Sequence, residues 1–255
     1  MLPETLPILA LPAVPAPRAS ESAVSAKAPA TRQWVLATVA TAGAFLAWEV
    51  AGGDRWLADM AGTAAGFALR NHWLLDNVVH SVGRLLAWAL ALALCLGVWW
   101  PLGPLRRLGL AQRLQLAGGV LLSVAVVSLL KSFNPAACPW SLAAYGGATE
   151  PVSHWLWWAT PVGGRGGCFP AGHASAGFGF IGGYFVFRPV APALARRWLL
   201  AAVAAGLLLG ISQQWRGAHF MSHTLWSGWL CWCVAWALDG ACRSFSRSAA
   251  PVGAA

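Results

Sequence analysis

Six continuous apolar runs organise this chain, at residues 34–50, 84–100, 114–130, 174–187, 198–211 and 225–238. They are rich in Ala, Leu, Val and Trp and lack a period-two alternation. Strands of a membrane barrel alternate apolar and polar positions, whereas a membrane-crossing helix is apolar throughout. A crossing takes about 20 such residues, with a range of about 17–25. The last three runs are short by that measure and are expected to extend into their flanks. Pro189 and Pro192 mark the turn after the fourth run. The pattern predicts an all-α polytopic membrane protein with six transmembrane helices, forming one domain over residues 31–245.

The segments between and beyond the runs read differently. Residues 1–30 are rich in Pro, Ala and Ser without periodicity, which predicts a disordered tail. No basic region precedes their short apolar patch, so they make a poor signal peptide. Residues 246–255 form a second short tail. Residues 54–80 mix charge with apolar positions and predict an amphipathic helix lying on the membrane surface.

Composition agrees with a membrane class. Only 10% of the 255 residues are charged, against about 25% in soluble domains. The net charge of +9 invites a nucleic-acid reading, but the positions of the cations give a simpler one. With the N-terminus in the cytoplasm, the inside holds Arg18, Lys27, Arg32, Arg106, Arg107, Arg113, Arg188, Arg196, Arg197, Arg243 and Arg247. The outside holds Arg55, Arg70, Arg84, Lys131, Arg165 and Arg216. This bias places both termini in the cytoplasm of an inner (plasma) membrane and accounts for the basic balance by topology, with no nucleic-acid partner.

That orientation collects chemistry on one side. All six histidines, His72, His80, His154, His173, His219 and His223, fall on or near the outer, periplasmic face. So does the stretch 132–172, too long and polar for a simple turn. Three outer segments end or open helices: KSFNPAACPW from Lys131, GRGGCFPAGH ending at His173, and SQQWRGAHFMSH ending at His223. Singly each is ordinary, since Lys131 alone reads as an interface anchor. Together they bring Lys, Arg and His to three helix ends facing one compartment. Such a set can hold phosphate oxygens, attack phosphorus with one imidazole and protonate the leaving group with another.

These three segments resemble the signature of the type-2 phosphatidate phosphatase superfamily: Lys, six residues, Arg-Pro; then Pro-Ser-Gly-His; then Ser-Arg, five residues, His, three residues, Asp. Lys131 and Pro139 match the first part, with Cys138 in place of Arg. Pro170, Gly172 and His173 match the second, with Ala171 in place of Ser. Ser212 and His219 match the third, with Gln213 for Arg and His223 for Asp. The resemblance implies a six-helix core, a metal-free and cofactor-free site at the outer leaflet, and a phosphohistidine intermediate. It implies His219 as nucleophile, His173 as general acid, and Lys131 with the backbone around Ala171, Gly172 and His173 as the phosphate cradle. Arg216, three residues after Gln213, and Arg165 in the Gly-rich loop are candidates for the missing cations. His223, four residues after His219, is placed to orient it as a carboxylate would.

The substrate expected is a lipid phosphate, with undecaprenyl pyrophosphate, phosphatidylglycerophosphate, phosphatidic acid and lipid A as candidates, its phosphate released by hydrolysis or passed to another lipid. A non-catalytic lipid-binding protein stays open, as does zinc held by the His219-x-x-x-His223 pair. Cys138 and Cys168 lie in outer motif loops, where disulfides persist, and are expected to bridge. Trp34, Trp99, Trp100 and Trp198 read as an interfacial belt. Trp140, Trp155, Trp157 and Trp158 in the outer loop are candidates to cover the site.

Overall fold

A computed structural model describes residues 27–156 and 166–248. The chain divides into two units, residues 1–39 and 40–255. The described residues of the first unit form the opening of helix α1 (Lys27–Val50).

Helices dominate the described residues: α2 (Gly53–Asp59), α3 (Leu74–Leu96), α4 (Leu110–Phe133), α5 (Gly172–Phe178), α6 (Gly182–Phe187), α7 (Pro192–Trp215) and α8 (Met221–Ser248). The only strands described are a two-residue pair, β1 (Gly62–Thr63) and β2 (Gly66–Phe67), in antiparallel register. By length and composition α3, α4 and α7 can each cross a membrane. The segment Arg32–Val50 with Gly53–Asp59, bent by 58°, makes a fourth candidate. The α8 helix has the length, but Ser222, His223, Thr224, Ser227 and Asp239 are buried along it. The fourth apolar run is a broken helix, with the turn Gly179–Ile181 joining α5 to α6.

Residues 54–80 do not form the expected surface helix. Gly52 takes a left-handed φ of 75° and bends the chain into α2, and Gly66 at φ 108° turns the β1–β2 hairpin. Both conformations suit glycine and stop a helix. The α3 helix then begins at Leu74, ten residues before the apolar run, and its first nine residues, Leu74–Val82, are wound as a wider π-helix. This early start carries Asp76 and His80 into the structure, with consequences for the site.

Small residues let the helices approach. A side chain at Gly177 of α5 would meet the backbone of Ala205 and Gly206 on α7, and one at Gly210 of α7 would meet Thr224 of α8. In a membrane, apolar faces gain little by leaving lipid, so close packing of this kind supplies much of the association. Trp198 takes part in this packing. Its ring lies where a side chain on Gly183 would be, and its Nε1–H donates to the Phe180 carbonyl at 2.7 Å.

Candidate active site

The site forms where α4 ends, α5 begins and α7 turns into α8. Lys131 stands in the last turn of α4, and its side chain passes beside Gly172 at the start of α5; a Cβ there would lie 3.8 Å from Nζ. His173 follows on α5. Lys131, Gly172 and His173 together line a cavity of about 280 Å³.

His219 sits in the α7–α8 turn, which is held from four directions. Gly217 turns the chain at φ 72°, against the Phe67 ring. Its carbonyl accepts from Trp140 N–H at 2.8 Å. Ala218 N–H donates to the Gln213 carbonyl at 2.9 Å. On the α8 side, Asp54 of α2 accepts from the Ser222 backbone N–H at 2.8 Å and from its hydroxyl, while its Oδ1 also accepts from Trp48. The carboxylate sits at the exposed amides of a helix start, where both hydrogen bonding and the helix dipole favour it.

His219 and His223 face each other, Nδ1 to Nδ1, at 3.5 Å. The Cys138–Cys168 disulfide lies alongside: the two Cα atoms are 5.1 Å apart, and Cys168 Sγ is 3.5 Å from His219 Nδ1. The bridge ties the loop after α4 to the loop before α5. Burial pushes the His219 imidazolium well down from its ordinary value near 6.5, and the positive field of Lys131 pushes it further, so the ring is neutral at neutral pH. Cys168, His219 and His223 offer donor atoms within 4.8 Å of one another. A sulfur committed to a disulfide is no thiolate ligand, so the trio does not fit a zinc site while the bridge is closed.

Five of the six histidines gather here. His80 stacks on His173 with ring centroids 3.7 Å apart and planes 9° from parallel. His173 Nε2–H donates to the His80 carbonyl at 3.1 Å, which fixes where that ring carries its proton. His154 stacks on Phe169 at 4.0 Å and meets His223 edge-on at 5.5 Å. Glu49, at the end of α1, accepts from Trp226 Nε1 at 2.6 Å and Trp155 Nε1 at 2.8 Å, and lies 3.4 Å from His154 Nε2.

The other phosphate candidates fare differently. Arg216 is buried, and its guanidinium is already engaged. It pairs with Asp76 at 2.7 Å, donates to the Arg70 carbonyl at 2.8 Å, and lies 3.4 Å from Gln213 Oε1. Ala171 N–H donates to the His223 carbonyl at 3.2 Å, so that amide braces the site. Arg165, Trp157 and Trp158 lie outside the described residues. Trp140 holds the His219 turn by its backbone, and Arg70 stands over its ring at 4.8 Å.

Sequence reasoning grouped His80 with the other histidines but gave it no role, and it missed Glu49, Asp54 and Asp76. The signal in hand was rarity. Glu49, Asp54 and Asp76 are three of only eight acidic residues in the chain, and each lies at or near an apolar run, where an ionisable group needs a reason.

A neutral, oriented histidine, a second histidine and a lysine thus meet at the ends of apolar helices. The family model described as PAP2 superfamily matches residues 112–240, just over half of the chain, and the chain belongs to that superfamily. The matched span contains all three motif segments, and it excludes Glu49, Asp54, Asp76, His80 and Arg84. No curated protein and no solved structure matches the chain.

Proposed function

We propose that this protein is an integral membrane phosphatase that cleaves a lipid phosphate through a phosphohistidine on His219. The observation that carries the reading is the His219–His223 contact beside the disulfide. A nucleophilic Nε2 needs its lone pair, so the His219 proton must sit on Nδ1, where it donates to His223 Nδ1 at 3.5 Å. In this reading His223 does by hydrogen bonding what a carboxylate does in the family signature. Lys131 takes phosphate oxygens at the mouth of the cavity.

His173 Nε2–H is already given to the His80 carbonyl, so Nδ1 is the nitrogen left for the leaving oxygen. Burial and the nearby cations hold the free His173 imidazolium down, to about 4, so its Nδ1 proton is taken up with the substrate, whose phosphate charge favours the imidazolium. In the first step His219 Nε2 bonds to phosphorus, the P–O bond to the lipid breaks, and His173 gives that Nδ1 proton to the departing oxygen. In the second, water attacks the phosphorus, giving its proton to His173, and the P–N bond breaks to release phosphate. The six helices, outward-facing site and cytoplasmic termini belong to the same proposal. They rest on the Lys and Arg bias and on apolar walls below the cations.

The test is phosphate release by purified full-length protein from phosphatidic acid, phosphatidylglycerophosphate and undecaprenyl pyrophosphate, with and without EDTA. Release that persists in EDTA and disappears in His219→Ala is expected. Release that EDTA abolishes contradicts the metal-free mechanism, and full activity of His219→Ala contradicts the nucleophile.

A further inference from the structure

The cations of this site do not balance its substrate. A phosphate monoester carries close to two negative charges, and of the assigned groups only Lys131 offers a full positive charge to the cavity. Cys138 and Gln213 stand where the signature has arginines, and Arg216 is neutralised by Asp76 at 2.7 Å.

The same cavity has a second cation that no motif contains. Arg84 lines it together with Lys131 and His173. It lies four residues after His80, whose ring stacks on His173, and therefore on about the same face of α3. Arg84 makes no ion pair or hydrogen bond with any described residue. Arg84 is exposed on α3, so its guanidinium is free to meet an anion that enters the cavity. Below the cations the cavity turns apolar, with Trp88 and Ala91 on α3 and Leu121 and Val120 on α4. From Lys131 to Val120 the wall runs for about 16 Å at 1.5 Å per residue. The slot thus has a dicationic mouth and a hydrocarbon-like floor, between two helices.

We propose that Arg84 is a phosphate-binding residue of this site, gripping from α3 the oxygens that Lys131 grips from α4. Its planar fork suits two oxygens of one phosphate at once, which an ammonium cannot match. The inference rests on the phosphatase reading for the identity of the ligand as substrate, but phosphate binding can be measured without turnover.

The experiment compares wild type, Arg84→Gln and Arg84→Lys in full-length protein. Two quantities are read: kcat/KM for the best lipid phosphate found above, and the dissociation constant of inorganic phosphate from the change in tryptophan fluorescence. Arg84→Gln is expected to lower kcat/KM and weaken phosphate binding, each by about tenfold or more, with Arg84→Lys recovering part of both. An Arg84→Gln protein that binds inorganic phosphate as wild type does overturns the assignment, whatever its activity. If wild type turns over no lipid, the phosphatase reading fails, and the phosphate titration still decides the role of Arg84.

Discussion

At the residue scale, the account turns on protons. His219 is neutral because it is buried and because Lys131 stands near. The activity limb set by its protonation therefore lies well below pH 6.5, and kcat should be flat in His219 ionisation from about pH 6.5 upward. Stability has the matching sign. In the unfolded chain this imidazole titrates near 6.5, while the folded chain resists its protonation. Stability from this group is complete above about pH 6.5 and is lost as pH falls towards the lower folded value. The melting temperature of wild type should drop on acidification through that window, and His219→Asn should drop less. In the proposed mechanism His223 acts on His219 and not on the substrate, so His223→Ala should lower kcat by about 100-fold or more and leave KM nearly unchanged. The residues named in these predictions were legible through the resemblance of three short segments to the superfamily signature. Glu49, Asp54, Asp76 and His80 were not, because each acts through a partner far along the chain: Asp54 holds Ser222, and Asp76 holds Arg216. No local pattern encodes such a pair.

At the element scale, apolar runs located the helices but not their ends. The α3 helix begins at Leu74 rather than at Arg84 because Asp76 and His80 interrupt the apolar run without interrupting the helix; their polar groups find Arg216 and the rings of the site. Residues 54–80 carry a mean amphipathic signal, while two glycines, Gly52 and Gly66, decide the actual path. Two predictions belong to this scale. Gly217→Ala should misplace His219, since the left-handed φ of 72° is strained for alanine and the added carbon meets Phe67. A loss of about 1–3 kcal/mol in stability is expected, with a larger fall in kcat. Opening the bridge with reductant, or Cys138→Ser, should lower stability by about 3–4 kcal/mol, because the bridge closes a loop of 30 residues. Thermal melts with and without reductant read this directly.

At the scale of the whole molecule, the elements make one device. Helix α4 brings Lys131, α5 brings His173, and the α7–α8 turn brings His219. The helices α1, α2 and α3 add Glu49, Asp54, Asp76 and His80 around them. The superfamily match covers the first group and not the second. The shared chemistry and the local supports thus lie in different parts of the chain. The account holds that phosphate passes covalently through one histidine. The most direct test is to quench the protein in alkali during turnover of a lipid phosphate labelled with 32P, digest it, and map the label. The account predicts an alkali-stable, acid-labile label on the peptide carrying His219, absent from His219→Ala. Turnover without any protein-bound label, or a label on another residue that survives in His219→Ala, would contradict it.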